Sequence, residues 1–161
     1  MNIRLSLRCS GAIVVLSALM LLSASLLSGC GTTRKETEAY QKSVTAVDEN
    51  GAIRTLRLIM TAQTSFSATH GGEYGSFEDL SSSGSLDGRF NSHSPEQGGY
   101  VFTMKLAPAS GSEGPMFAVY ADPKTPTSGI QTNGRHFFMD TSGVIHVNNS
   151  QTASASDPIL Q

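Results

Sequence analysis

The chain has 161 residues, enough for one domain, and a formal charge of −2. No stretch gathers the Lys and Arg needed to track a phosphate backbone, so the sequence argues against a nucleic-acid partner. Aromatics make up 7% and Trp is absent, while Gly numbers 16, a balance that predicts one modest core among long loops.

The first predicted element is a leader. Arg4 and Arg8 give a basic start, residues 12–27 are mostly apolar, and Leu27-Ser28-Gly29-Cys30 closes the run with small residues before a cysteine. That is the layout of a secretory signal. A retained span needs about 20 apolar residues, and Ser17, Ser23 and Ser25 interrupt this one.

The closing four residues resemble the lipobox of bacterial lipoproteins. The resemblance implies cleavage between Gly29 and Cys30, a diacylglyceryl group on the Cys30 thiol, and acylation of the new amine. Each buried methylene contributes about 0.8 kcal/mol, so two or more chains hold the protein to a membrane. The expected location is the cell membrane or outer membrane, facing the periplasm or exterior. In that family an Asp after the cysteine retains the protein in the inner membrane; Gly31 stands there instead, which favours the outer membrane. Removing 29 of 161 residues leaves 132, and the loss of Arg4 and Arg8 moves the charge from −2 to −4. Cys9 leaves with the leader and Cys30 is blocked, so no disulfide is expected. Residues 30–35 form a linker.

From Glu36 the pattern turns helical. Tyr40, Val44 and Val47 recur at three and four, and Ala52, Ile53, Leu56, Ile59, Met60, Gln63 and Phe66 continue the stripe. Asn50-Gly51 is the weak point, since an interior Gly costs about 1 kcal/mol against Ala; a kink or break is expected there. Arg54, Arg57 and Thr61 mark a solvated face. The helix should end near His70-Gly71-Gly72, where glycine supplies a left-handed cap.

Residues 73–80 are turn-rich, with Ser76 placed to cap a short helical turn, and residues 81–85 read as a polar linker. Beyond Gly98-Gly99 the period becomes two. Tyr100, Phe102, Met104 and Leu106 alternate with Val101, Thr103 and Lys105, the mark of a half-buried strand. Residues 116–121 form a second strand, antiparallel to the first because the connection is too short for a crossover. Two more follow, at residues 135–139 and 144–147. Asp140-Thr141-Ser142-Gly143 between them has the chemistry of a type I turn with a bulge. Residues 149–161 lack an apolar period and are expected to be disordered. The fold class is therefore α+β: a long N-terminal helix packed on a four-stranded antiparallel sheet.

Several short segments then bear a resemblance. Ala52-Ile53-Arg54-Thr55-Leu56-Arg57, Gly72-Glu73-Tyr74, Phe77-Glu78-Asp79-Leu80, Gly99-Tyr100-Val101-Phe102 and Arg135-His136-Phe137-Phe138-Met139-Asp140 are similar, in order and spacing, to the soluble part of type IV pilins and of the major pseudopilin of type II secretion. The resemblance implies a pilin-like domain at residues 36–148. The chain departs from that family at its start. Were Gly11 the peptidase site, Ala12 would follow in place of Phe, and Leu16 would stand where pilins carry Glu. A lipobox replaces the polymerising segment.

Candidate chemistry is sparse. His70, His93, His136 and His146 show no metal-ligand spacing, and Ser142 lacks the strand-turn-helix context of a nucleophile elbow. By the resemblance, Asp122 and Asp140 fall where major pseudopilins hold calcium, but two separated carboxylates are too few for a hard cation. Tyr74 and Phe77 either form a docking surface or cover the helix end. No cofactor and no enzymatic activity are expected. The chain reads as a lipid-anchored, non-enzymatic interaction protein of the cell envelope that serves secretion- or pilus-related assembly or surface attachment, with secretion or pilus components as partners. The alternative is a periplasmic lipoprotein that binds a small molecule or peptide.

Overall fold

The computed structural model describes residues 32–124 and 134–161. The leader, Gly29 and Cys30 lie outside the described residues, as does most of the loop before the third expected strand. The chain divides into two units at Lys42. The described part of the first is the opening of helix α1; the second holds the core and the sheet.

Helix α1 spans Thr32–Thr69 and passes through Gly51 without a break. Ala52, Leu56, Ile59, Ala62 and Gln63 recur at helical spacing and are all buried. The roughly 1 kcal/mol penalty of one glycine does not end the helix; the buried stripe begins at Ala52, while Tyr40 and Val47, expected on the same apolar face, are each 66% exposed. Arg54, Arg57 and Thr61 are exposed, as the pattern predicted. The helix closes with Gly71 at φ 65° and Gly72 N–H donating to Ser67 O at 3.0 Å.

Helix α2, Phe77–Ser82, begins with a reciprocal cap. Asp79 N–H donates to Ser76 Oγ at 3.2 Å, and Ser76 N–H donates to Asp79 Oδ2 at 2.9 Å. Phe77 is buried and Tyr74 meets Phe117 edge to face at 4.8 Å, so both aromatics pack on the core. The residues expected to be a polar linker carry more structure than that. They finish α2 and lead to Leu86 and Phe90, both buried; Phe90 ends a 3-10 turn over Gly88–Phe90.

The sheet has five antiparallel strands in chain order, not four: β1 Glu96–Gln97, β2 Tyr100–Ala107, β3 Met116–Pro123, β4 His136–Asp140 and β5 Ile145–Asn148. The additional strand is β1. Gly98 and Gly99 have φ of 56° and 74°, the paired positive values of a two-residue hairpin loop, and they fold Gln97 back onto Tyr100. Two residues are too few to show a period. The β4–β5 turn matches its sequence signature: Gly143 at φ 73° donates N–H to Asp140 O at 2.9 Å.

Residues 149–161, expected to be disordered, are ordered against β5. Val147 N–H donates to Pro158 O at 2.9 Å and Leu160 N–H to Ile145 O at 2.8 Å. Asn148 Nδ2 donates to Asp157 Oδ1 at 2.8 Å, and Leu160 packs against the core. The tail is held largely by hydrogen bonds, so no apolar repeat announced it.

Candidate interaction surface

Alternation divides the sheet into two faces. Phe102, Phe117, Val119, Ala121, Phe137, Met139 and Ile145 point at α1 and are buried. Lys105, Ala118, Tyr120, Phe138 and His146 point the other way. The register places Tyr120 opposite Phe138 and Phe138 opposite His146, so one row of rings crosses three strands. Tyr120 and Phe138 pack edge to face at 5.3 Å, Phe138 and His146 at 6.0 Å. Lys105 Nζ lies 4.9 Å above the Tyr120 ring.

Beside this row lies an open depression of about 440 Å³, lined by Lys105, Leu106, Met116, Ala118, Tyr120 and Phe138 and bounded by Asp140 and Thr141. Leu106 is 43% and Met116 47% exposed. The lining is largely apolar, with a cation on one rim and a carboxylate on another. Such a surface offers apolar contact area, with charges on its rim that can orient what meets it.

The calcium candidates are not brought together. Asp140 pairs with Ala118, four positions along β3 from Asp122, a separation of about 13 Å. Each carboxylate is already engaged. His136 Nδ1 donates to Asp122 Oδ1 at 2.6 Å, and Ser142 N–H donates to Asp140 Oδ1 at 2.9 Å. Among the described residues no group of three or more His, Cys, Asp or Glu could hold a metal ion.

The remaining histidines are dispersed. His70 stacks on Phe66 at 3.7 Å at the end of α1, His146 Nδ1 approaches Asp157 O at 2.7 Å, and His93 is exposed. Ser142 Oγ accepts from Val144 N–H at 3.2 Å, an ordinary turn bond. No described helix is long and apolar enough to cross a membrane.

Two polar devices were not anticipated from sequence. Glu49 on α1 grips Arg135: Arg135 N–H donates to Oε1 at 3.0 Å and Nη2 to Oε2 at 2.9 Å. Tyr100 Oη donates to Arg135 O at 2.8 Å, and burial pushes the phenol pKa upward. Close by, Asp48 Oδ2 would lie 2.9 Å from a Cβ on Gly99, and burial raises the Asp48 carboxyl. The second device is Gln63, fully buried, whose Nε2 donates to Gly75 O at 2.7 Å while Gly75 N–H donates to its Oε1 at 3.0 Å. Both could have been suspected, because a carboxylate or amide on an otherwise apolar helix stripe needs a partner.

No family model, curated protein or solved structure matches the chain.

Proposed function

We propose that this is a lipid-anchored protein of the bacterial cell envelope whose pilin-like head binds other proteins and performs no catalysis. The observation that carries the binding role is the outward sheet face, where Tyr120, Phe138 and Met116 border an open apolar depression. The Leu27-Ser28-Gly29-Cys30 leader supports the address. The order of helix, loop and antiparallel meander supports the pilin comparison. Components of a secretion or pilus apparatus are the partners that comparison suggests.

Two measurements test the reading. Labelling cells with a fatty-acid probe should mark the wild type and leave Cys30→Ala unmarked; equal labelling of both removes the anchor. A photo-crosslinker at Tyr120 should trap an envelope protein that the same group at Arg57, on the solvated face of α1, does not. Identical adduct patterns at the two positions would end the case for this face.

The size of the depression, about 440 Å³, also falls within the range of small-ligand sites and supports a second reading, a periplasmic lipoprotein that captures a small molecule or peptide there. A ligand recovered with the purified chain and lost on Tyr120→Ala would favour it.

A further inference from the structure

The outward edge of β2 is only partly covered. β1 pairs with Tyr100 and Val101 alone, and Phe102 N–H donates to Pro95 O at 2.9 Å. From there β2 runs on to Ala107 with β3 on one side and, among the described residues, no strand on the other. Lys124 N–H donates to Gly99 O, which sets the ladder bonds to β3 on the odd residues. The N–H and C=O groups of Met104 and Leu106 therefore point away from β3. Among the described residues they have no backbone partner.

The two sides of this open edge differ. On the core side a hollow of about 230 Å³ is lined by Phe77, Met104 and Leu106, with Ser76, Glu78 and His93 around it. On the outward side stands Lys105, exposed. An added strand would alternate its side chains between the hollow and the neighbourhood of Lys105.

We propose that the edge of β2 at residues 104–107 receives an extended segment of a partner protein as a further strand, with an apolar side chain in the hollow and an acidic one beside Lys105. Main-chain bonds to Met104 and Leu106 supply affinity and the alternate side chains supply selectivity. Lys105 argues against a second copy in this place. The antiparallel register that pairs Met104 with Leu106 across a two-fold axis sets Lys105 opposite Lys105, and like charges directly opposed are unfavourable. The inference rests on strand geometry and not on the anchor, so it stands or falls separately.

The test uses the full chain in detergent and a synthetic peptide of about seven residues, alternating Leu with Thr and carrying one central Asp on the Thr side. The peptide should slow hydrogen exchange at the Met104 and Leu106 amides. Leu106→Pro removes an outward donor and no ladder bond to β3; it should weaken binding by roughly tenfold at an unchanged melting temperature. Lys105→Glu should weaken the Asp peptide and favour its Asp-to-Lys counterpart.

Unchanged exchange with peptide at millimolar concentration overturns the proposal, as does binding indifferent to both variants. Protection that grows with protein concentration alone assigns the edge to a second copy. Protection in the free chain at every concentration assigns it to this chain's own residues. Either result also overturns it. Should Leu106→Pro unfold, the charge exchange at Lys105 decides alone.

Discussion

Gln63 sits on the buried stripe of α1 and satisfies both backbone groups of Gly75, so it joins the helix to the loop before α2. Gln63→Leu keeps the apolar volume but leaves a buried N–H and C=O without partners, which should cost about 1–3 kcal/mol in urea unfolding. A loss below a few tenths would mean that the loop moves away and water replaces the amide. Ser76 is a gentler case. Its hydrogen bonds hold the Asp79 carboxyl below its ordinary value of 3.8. Because the folded pKa is depressed, the stabilisation is present above the unfolded value and disappears as pH falls through the folded one. Ser76→Ala should therefore cost about 1 kcal/mol at neutral pH and progressively less in acid below the ordinary value. Equal costs at pH 7 and in strong acid would disprove the linkage.

At the scale of elements, Gly51 shows that one interior glycine does not interrupt a long helix. A Cβ at this position meets nothing within 4 Å. Gly51→Ala should then raise stability by about 0.5–1 kcal/mol, read from the urea midpoint; no gain would indicate that the helix frays there. The tail shows order with little apolar burial. Asp157 is held below 3.8 chiefly by bonds from Ser154, then Asn148 and the Ser154 backbone. Its clasp is thus complete above that value and weakens as pH drops through the depressed one. Asp157→Ala should speed exchange of the Val147 and Leu160 amides at neutral pH, with little effect on β2 and β3. Uniform loss of protection across the sheet would show that the tail is instead part of the global unfolding unit.

For the whole molecule, the Glu49–Arg135 link ties α1 to the start of β4 on the far side of the core from the α2 loop. Arg135 is 38% exposed at its side chain and can rehydrate, so Glu49→Ala should cost only about 1 kcal/mol. It should leave binding at the outer face unchanged; crosslinking at Tyr120 in that variant checks this. The fold thus supports two surfaces of different character. One is the ringed face beyond α1, and the other is the open edge of β2, and both are made by strands whose inner halves form the core.

The core was legible in advance because periodicity and burial are one fact seen twice: residues at helical spacing in α1 and at period two in β2 must share a face. The β4–β5 turn was legible because Asp and Gly meet a backbone demand that few residues can. Other features depended on partners distant in sequence. β1 needed a hairpin and the tail needed the edge of β5; Gln63 needed Gly75, and Glu49 needed Arg135. The outward face lies between. Strands over residues 116–121 and 135–139 were expected, but only the register of three strands set the Tyr120, Phe138 and His146 rings side by side.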